Sequence, residues 1–94
     1  MLLRVQLPVE RGNAAIKDGS LQRTIESVLN TLKPEAAYFF PENGKRAALL
    51  VFDLPDPSQI PVVAEPFFQQ LNASVALTPV MNADDLQAGL QRLG

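Results

Sequence analysis

The order of its patterned segments limits the fold of this chain more than any other feature. Leu2–Leu7 alternates in the manner of a strand, with one wholly apolar face. Apolar residues at helical spacing follow from Leu21 to Leu32, and Lys33 and Pro34 end that helix. Further strands are predicted at 35–40, 46–53 and 74–80, with a second helix at 58–71. The resulting order of strand, helix, strand, strand, helix, strand predicts an α+β domain with a mostly antiparallel sheet.

The segment between the first strand and the first helix has no clear period. Pro8 ends the strand, and turn and cap residues such as Gly12 and Gly19 are scattered through residues 9–19. We expect a polar approach here, with the helix beginning near either Asn13 or Asp18.

The two central strands are predicted to form a hairpin. Asn43 and Gly44 suit the central positions of a type I′ turn, and that turn fixes the register. The predicted pairs are Phe40 with Ala47, Tyr38 with Leu49 and Ala36 with Val51 on one side, and Phe39 with Ala48 and Ala37 with Leu50 on the other. Both faces of the hairpin are therefore apolar.

An apolar second face requires a cover. Two helices on one face of a four-stranded sheet leave the other face open, and an open face normally alternates to polar residues. Ala47–Phe52 does not alternate. The simplest cover in a short chain is a second copy of the same sheet, so we expect a homodimer.

In the C-terminal half, two prolines indicate where a helix is disturbed and where a strand lies in the sheet. Ser58 is a plausible N-cap for the second helix, and Pro66 predicts a kink or break near Glu65. Asn72 ends this helix, and Pro79 favours an edge position for the last strand. After that strand, Asn82 and Asp85 have the spacing of a capping box and begin a short C-terminal helix.

Composition excludes several classes of function. The 94 residues suit one domain, residues 1–94, and contain no Cys, His or Trp, which removes thiol chemistry, disulfides, the usual zinc sites and His-based triads. A net charge of -2 with scattered Lys and Arg argues against nucleic acid as a partner. The longest apolar run, Ala47–Phe52, is far below the roughly 20 residues of a membrane span, and the N-terminus does not resemble a signal peptide. A cytoplasmic protein without a metal or cofactor is expected.

The segment order is the ferredoxin-like arrangement, and with the doubly apolar hairpin the chain resembles the dimeric α/β-barrel superfamily. Three strings resemble a small, functionally uncharacterised bacterial family within it: Gly12-Asn13-Ala14, Lys33 to Phe39, and Ile60-Pro61 through Ala64-Glu65-Pro66. The resemblance implies two sheets packed face to face. It also implies that any reaction would be a cofactor-free oxygenation or an isomerisation of a hydrophobic compound.

Aromatic and acidic residues are the first candidates for a ligand site. Tyr38 could bring a hydroxyl to an apolar pocket, with Phe39 and Phe40 as weaker candidates, although all three also suit ordinary packing. Glu65 adjoins the expected helix break and is followed by the apolar Phe67, an environment that can raise the pKa of a carboxyl. The alternative for Glu65 is a solvated charge on the polar side of the helix.

Two further sets of polar residues allow a structural or a functional interpretation. Asn13, Lys17 and Asp18 could bind an anion at a helix N-terminus, or simply cap the helix. Arg4 lies on the strand face opposite Leu3, where it could bind a carboxylate of a ligand or of a partner subunit. Asp53 is a conceivable partner for Arg4, or only the first residue of a turn.

Two classes of function remain open. The first is a small-molecule site between the helices and the sheet, with Tyr38, Glu65, Asn13, Arg4 and Phe67 as candidate ligand-binding residues. The second is a non-catalytic dimerisation or protein-interaction module. A pocket of a few hundred Å³ lined by Tyr38 and Glu65 would favour the first class, and a space filled with side chains would favour the second.

Overall fold

The computed structural model describes the whole chain, Met1–Gly94, as a four-stranded sheet with four α-helices. The strands are β1 (Leu2–Leu7), β2 (Ala36–Glu42), β3 (Lys45–Val51) and β4 (Ser74–Thr78). The helices are α1 (Val9–Lys17), α2 (Ser20–Leu32), α3 (Ile60–Leu71) and α4 (Ala83–Gln91), and a short 3₁₀ turn at Pro57–Gln59 precedes α3.

The sheet is open and entirely antiparallel, with the strand order β2-β3-β1-β4. The outer strands β2 and β4 are its edges, so the edge position predicted from Pro79 is confirmed, although β4 ends at Thr78, before the proline. This α+β architecture is compatible with a ferredoxin-like arrangement.

The core lies between one face of the sheet and helices α1, α2 and α3. Leu3, Val5 and Leu50 from the central strands are almost completely buried, as are Phe67 and Leu71 from α3. Burying each such side chain contributes roughly 1.5–3 kcal/mol. All three helices therefore cover the same face, and the opposite face receives no helix.

The central hairpin has the predicted turn and register. Asn43 and Gly44 both have positive φ, at 54° and 75°, as a type I′ turn requires. All five predicted pairs occur, including Tyr38 opposite Leu49 and Phe39 opposite Ala48. The strands are longer toward the turn than expected, and Pro41 is part of β2, which an edge strand tolerates because one side of its backbone needs no partner.

Helix α1 is the main feature that the sequence did not reveal. The helix predicted from Leu21 to Leu32 is α2, which begins at Ser20, so of the two expected starts the one near Asp18 is confirmed and the one near Asn13 is not. The segment expected to be a polar approach instead contains α1, which begins at Val9 directly after Pro8. Glu10 in the first turn and Lys17 in the last complement the helix dipole. The chain then turns at Gly19, whose φ of 78° suits a residue without a side chain, and α2 begins.

The start of α3 also differs from expectation. Ser58 is not its N-cap; instead the Asp56 carboxylate accepts a hydrogen bond from the Ser58 backbone N–H and caps the 3₁₀ turn. Of the kink or break expected near Glu65, the break is absent, since the helix runs unbroken to Leu71. The carbonyl that loses its helical partner belongs to Val62, on the exposed side of the helix.

Helix α4 extends away from the rest of the chain. Its capping box is formed as predicted, with Asn82 and Asp85 each accepting a hydrogen bond from the backbone N–H of the other. None of its residues is buried, and an apolar stripe of Leu86, Leu90 and Leu93 remains exposed. None of the four helices combines the length and the hydrophobicity that a membrane crossing requires.

Candidate functional site

A cleft opens between the helices and the sheet, on the side of the core nearest to the hairpin. Its volume is about 620 Å³, within the range typical of small-molecule sites. We call it the helix-side cleft. Val5, Leu7 and Ala48 of the sheet form its floor together with Phe67 of α3, and Leu21 and Ile25 of α2 line one wall.

Two apolar side chains at the cleft are more exposed than their chemistry favours. Ile16 from α1 is 53% exposed and Phe39 from β2 is 54% exposed. Removal of apolar surface from water is favourable, so binding of a hydrophobic molecule between these two side chains would be stabilised by contact with both.

Polar groups in the cleft are few, and the most prominent is Arg46. This residue pairs with Leu7 across β1 and β3, which directs it toward the helices. Its Nη2 donates a hydrogen bond of 3.1 Å to Oδ1 of Asn13 on α1. Its Nη1 lies against Gly12, where an added β-carbon would come within 2.7 Å of that nitrogen. The guanidinium is thus held on α1 by a glycine and an asparagine.

A second ionisable group of the cleft is Glu26 on α2. Its Oε1 accepts a hydrogen bond of 3.1 Å from Nε2 of Gln22, which also lines the cleft. The only ion pair of the chain lies elsewhere, so Glu26 and Arg46 do not neutralise each other by direct contact.

Of the five predicted ligand-binding residues, only Phe67 lines the helix-side cleft. Asn13 contributes indirectly, because it holds Arg46. Glu65 is exposed on α3 and is not among the cleft residues. Tyr38, which is 67% exposed, points to the opposite face of the sheet. A cleft therefore lies between the helices and the sheet, but Tyr38 and Glu65, which were expected to line a pocket there, do not line it.

Arg4 also lies on the sheet face without helices. Its Nη1 donates to Oε2 of Glu42 at 2.7 Å, so within the chain the partner of Arg4 is Glu42 and not Asp53. Both side chains are partly exposed, and such a pair contributes about 0–1 kcal/mol to stability.

The suggested anion site of Asn13, Lys17 and Asp18 is divided between two helices. Asn13 and Lys17 lie within α1, whereas the Asp18 carboxylate accepts a hydrogen bond of 2.8 Å from the Ser20 backbone N–H at the start of α2. Asp18 therefore makes the kind of local contact that the capping interpretation predicts.

The sheet face without helices forms a second surface of interest, which we call the open face. It is defined by the apolar side chains of Leu2, Tyr38, Phe40, Leu49 and Val51, next to the pair of Arg4 and Glu42. None of these five apolar residues is fully buried within the chain. The open face is the surface on which a partner sheet was expected.

Arg46 is the principal site residue that sequence reasoning missed. A signal was available: the predicted register puts position 46 on the same face as Ala48 and Leu50, so a charged residue appears on an otherwise apolar face. Its contacts with Gly12 and Asn13 depend on α1, which the sequence pattern did not reveal.

Comparison of the chain with protein-family models, with curated proteins and with solved structures finds no match. Nowhere do three or more carboxylate side chains come together in a way that could hold a metal ion. Interpretation of the site therefore depends on the geometry of the cleft and of the open face.

Proposed function

We propose that this protein binds a small hydrophobic molecule in the helix-side cleft. The observation that carries the proposal is the cleft itself, which combines a volume of about 620 Å³, mostly apolar walls and very few polar groups. A ligand would bury the most apolar surface at Phe39 and Ile16, since more than half of each side chain is in contact with water.

We further propose that the chain is a member of the dimeric α/β-barrel superfamily and acts as a homodimer. An antiparallel sheet with helices on one face and apolar residues on the other supports this assignment. The cleft has no Tyr, and its only ionisable side chains are Arg46 and Glu26. The proposal is therefore for binding; cofactor-free oxygenation or isomerisation remains the chemistry that the resemblance implies.

A neutral fluorescent dye such as N-phenylnaphthylamine tests ligand binding without involving charge. We expect saturable fluorescence enhancement with one site per chain and a rise in the melting temperature. At a dye concentration 100 times Kd, the stabilisation should be about 2.7 kcal/mol. No saturable binding of the dye or of a panel of neutral hydrophobic compounds would refute the proposal.

A pair of variants on α1 locates the binding site. Ile16→Gln makes the cleft more polar, and Val9→Gln is the matched control on an exposed residue outside the cleft. We expect Ile16→Gln to weaken dye binding about tenfold, because roughly 1.4 kcal/mol of apolar contact is lost. The Val9→Gln protein should bind as the wild type does, and equal weakening by both changes would mean that the dye binds elsewhere.

Assembly is the second candidate function, and two uncovered apolar surfaces favour it. The open face exposes Tyr38, α4 exposes Leu86 and Leu90, and the turn after α4 exposes Leu93. Patches of this kind are typical of protein–protein contacts. A second copy is the simplest occupant, because a two-fold axis covers the same patch on both chains at once.

Sedimentation velocity across the micromolar range distinguishes these functions. A dimer with dye binding supports both proposals, whereas a dimer without dye binding supports the assembly module alone. A monomer throughout this range would refute the homodimer.

A further inference from the structure

We propose that the ligand of the helix-side cleft is an apolar molecule with a single carboxylate, and that Arg46 binds this carboxylate. The inference rests on the proposed binding function and adds the chemical class of the ligand. It depends on how Arg46 is held and on which groups surround it.

Arg46 brings a positive charge to a site that is otherwise almost entirely apolar. A guanidinium has five N–H donors, and the protein uses only one of those of Arg46, in the hydrogen bond to Asn13. The only ion pair of the chain is between Arg4 and Glu42 on the other face of the sheet. Arg46 therefore has donors and charge available for an acceptor in the cleft, and its planar group matches a carboxylate.

The contacts of Arg46 with Gly12 and Asn13 of α1 hold the guanidinium in place. Gly12 is buried inside a helix, where glycine is unfavourable relative to alanine. Its missing side chain is what allows Nη1 of Arg46 to approach, since an added β-carbon would lie 2.7 Å from that atom. Asn13 then fixes Nη2 at 3.1 Å. A side chain held in this way loses less conformational freedom when a ligand binds.

The surrounding charges favour one negative charge on the ligand over two. Arg46 is the only cation of the cleft, and Glu26 on α2 brings a negative charge to the same cleft. A doubly charged phosphate would be repelled more strongly by Glu26 and would leave one charge without a partner. A carboxylate with an apolar tail fits the single cation and the apolar walls.

Displacement of the neutral dye by octanoate, below its micelle concentration, and by octanol, below its solubility limit, tests this class of ligand. We expect octanoate to displace the dye at a concentration about tenfold lower than octanol does. In Arg46→Gln this preference should vanish, with octanoate displacing the dye no better than octanol does. The matched control is Lys45→Gln, which removes the same charge from the next residue of β3, outside the cleft. It should keep the preference.

A second variant moves Arg46 without removing it. Gly12→Ala forces the end of the Arg46 side chain away from α1, and it should weaken octanoate binding about fivefold more than it weakens octanol binding. Because alanine favours helix, the melting temperature should not fall. A loss of octanoate binding would then reflect the position of Arg46 and not unfolding.

Each outcome has a distinct meaning. Dye binding with equal affinity for octanol and octanoate, or an octanoate preference that survives Arg46→Gln, would overturn the assignment of Arg46 and leave the hydrophobic site standing. Tighter binding of octyl phosphate than of octanoate would overturn the proposal that the charged group of the ligand is a carboxylate. Absence of dye binding would refute the proposed function itself, and the ligand class with it.

Discussion

Tyr38 and Phe39 are neighbours on β2, yet they face opposite sides of the sheet. Tyr38 lies opposite Leu49 on the open face, and Phe39 lies opposite Ala48 and lines the helix-side cleft. One peptide bond therefore joins the proposed ligand site to the proposed dimer surface.

This arrangement predicts that alanine at these two positions has separate effects. Phe39→Ala should weaken binding of the neutral dye about tenfold, because a partly exposed aromatic wall is removed, and leave the sedimentation coefficient unchanged. Tyr38→Ala should leave dye binding unchanged and weaken the dimer. Dye titration and sedimentation of both variants check the prediction, and a loss of both properties in either one would contradict it.

Phe67 and Phe68 form a second informative pair of neighbours. Phe67 is fully buried in the core and Phe68 is exposed on α3. Phe67→Ala should reduce the free energy of unfolding by about 3–5 kcal/mol, because it leaves a cavity beneath the cleft. Phe68→Ala, with the same change in chemistry, should cost less than about 1 kcal/mol. Urea unfolding of both variants measures the difference, and similar costs would mean that α3 packs with another face inward.

The open face predicts how a dimer can be broken without unfolding the chain. Leu49→Arg should weaken the dimer about a hundredfold, since it brings two like charges together across the two-fold axis. Leu86→Arg makes the same change on α4 and measures how much α4 contributes to assembly. If Leu49→Arg leaves the dimer intact, the open face is not the interface; circular dichroism of each variant confirms folding.

Asp56 predicts a dependence of stability on acid. The hydrogen bond from the Ser58 backbone N–H, at 2.9 Å, holds the pKa of the Asp56 carboxyl below its ordinary value of 3.8. Because the folded-state pKa is the lower one, the contribution of this group is complete above pH 3.8 and is lost as the pH falls through the folded-state pKa.

Thermal unfolding between about pH 6 and about pH 2 checks this linkage in the wild type and in Asp56→Asn. The acid-induced fall in melting temperature should be smaller in Asp56→Asn. Asp53→Asn, which removes a carboxylate from the same connection, is the control. A carbon NMR titration of Asp56 that gives its ordinary pKa would contradict the prediction.

Local signals in the sequence were sufficient for the hairpin but not for the site. Asn43 and Gly44 set the turn and with it every pair of β2 and β3, because register depends on residues close together in the chain. Which side of the hairpin meets the helices depends on the packing of α1, α2 and α3 on the sheet, which is not local. Chemistry alone favours Tyr38, whose hydroxyl suits an apolar pocket, although Phe39 is the one that lines the cleft.

Helix α1 was missed for a related reason. Pro8 stops β1, but proline is also well suited to precede a helix, and Gly12 and Asn13 weaken the helical pattern. In the structure these two residues hold Arg46. The two residues that weaken the helical pattern are thus the ones that hold the only cation of the cleft in place.

The edges of the sheet restrict the kinds of assembly that this chain can form. Unpaired strand edges are templates for continuous growth from chain to chain. Here β2 contains Pro41, which cannot donate a backbone hydrogen bond, and β4 has only five residues before Pro79. Extension of the sheet into ribbons or fibrils is therefore disfavoured at both edges. At high protein concentration, assembly should end at closed oligomers of defined size.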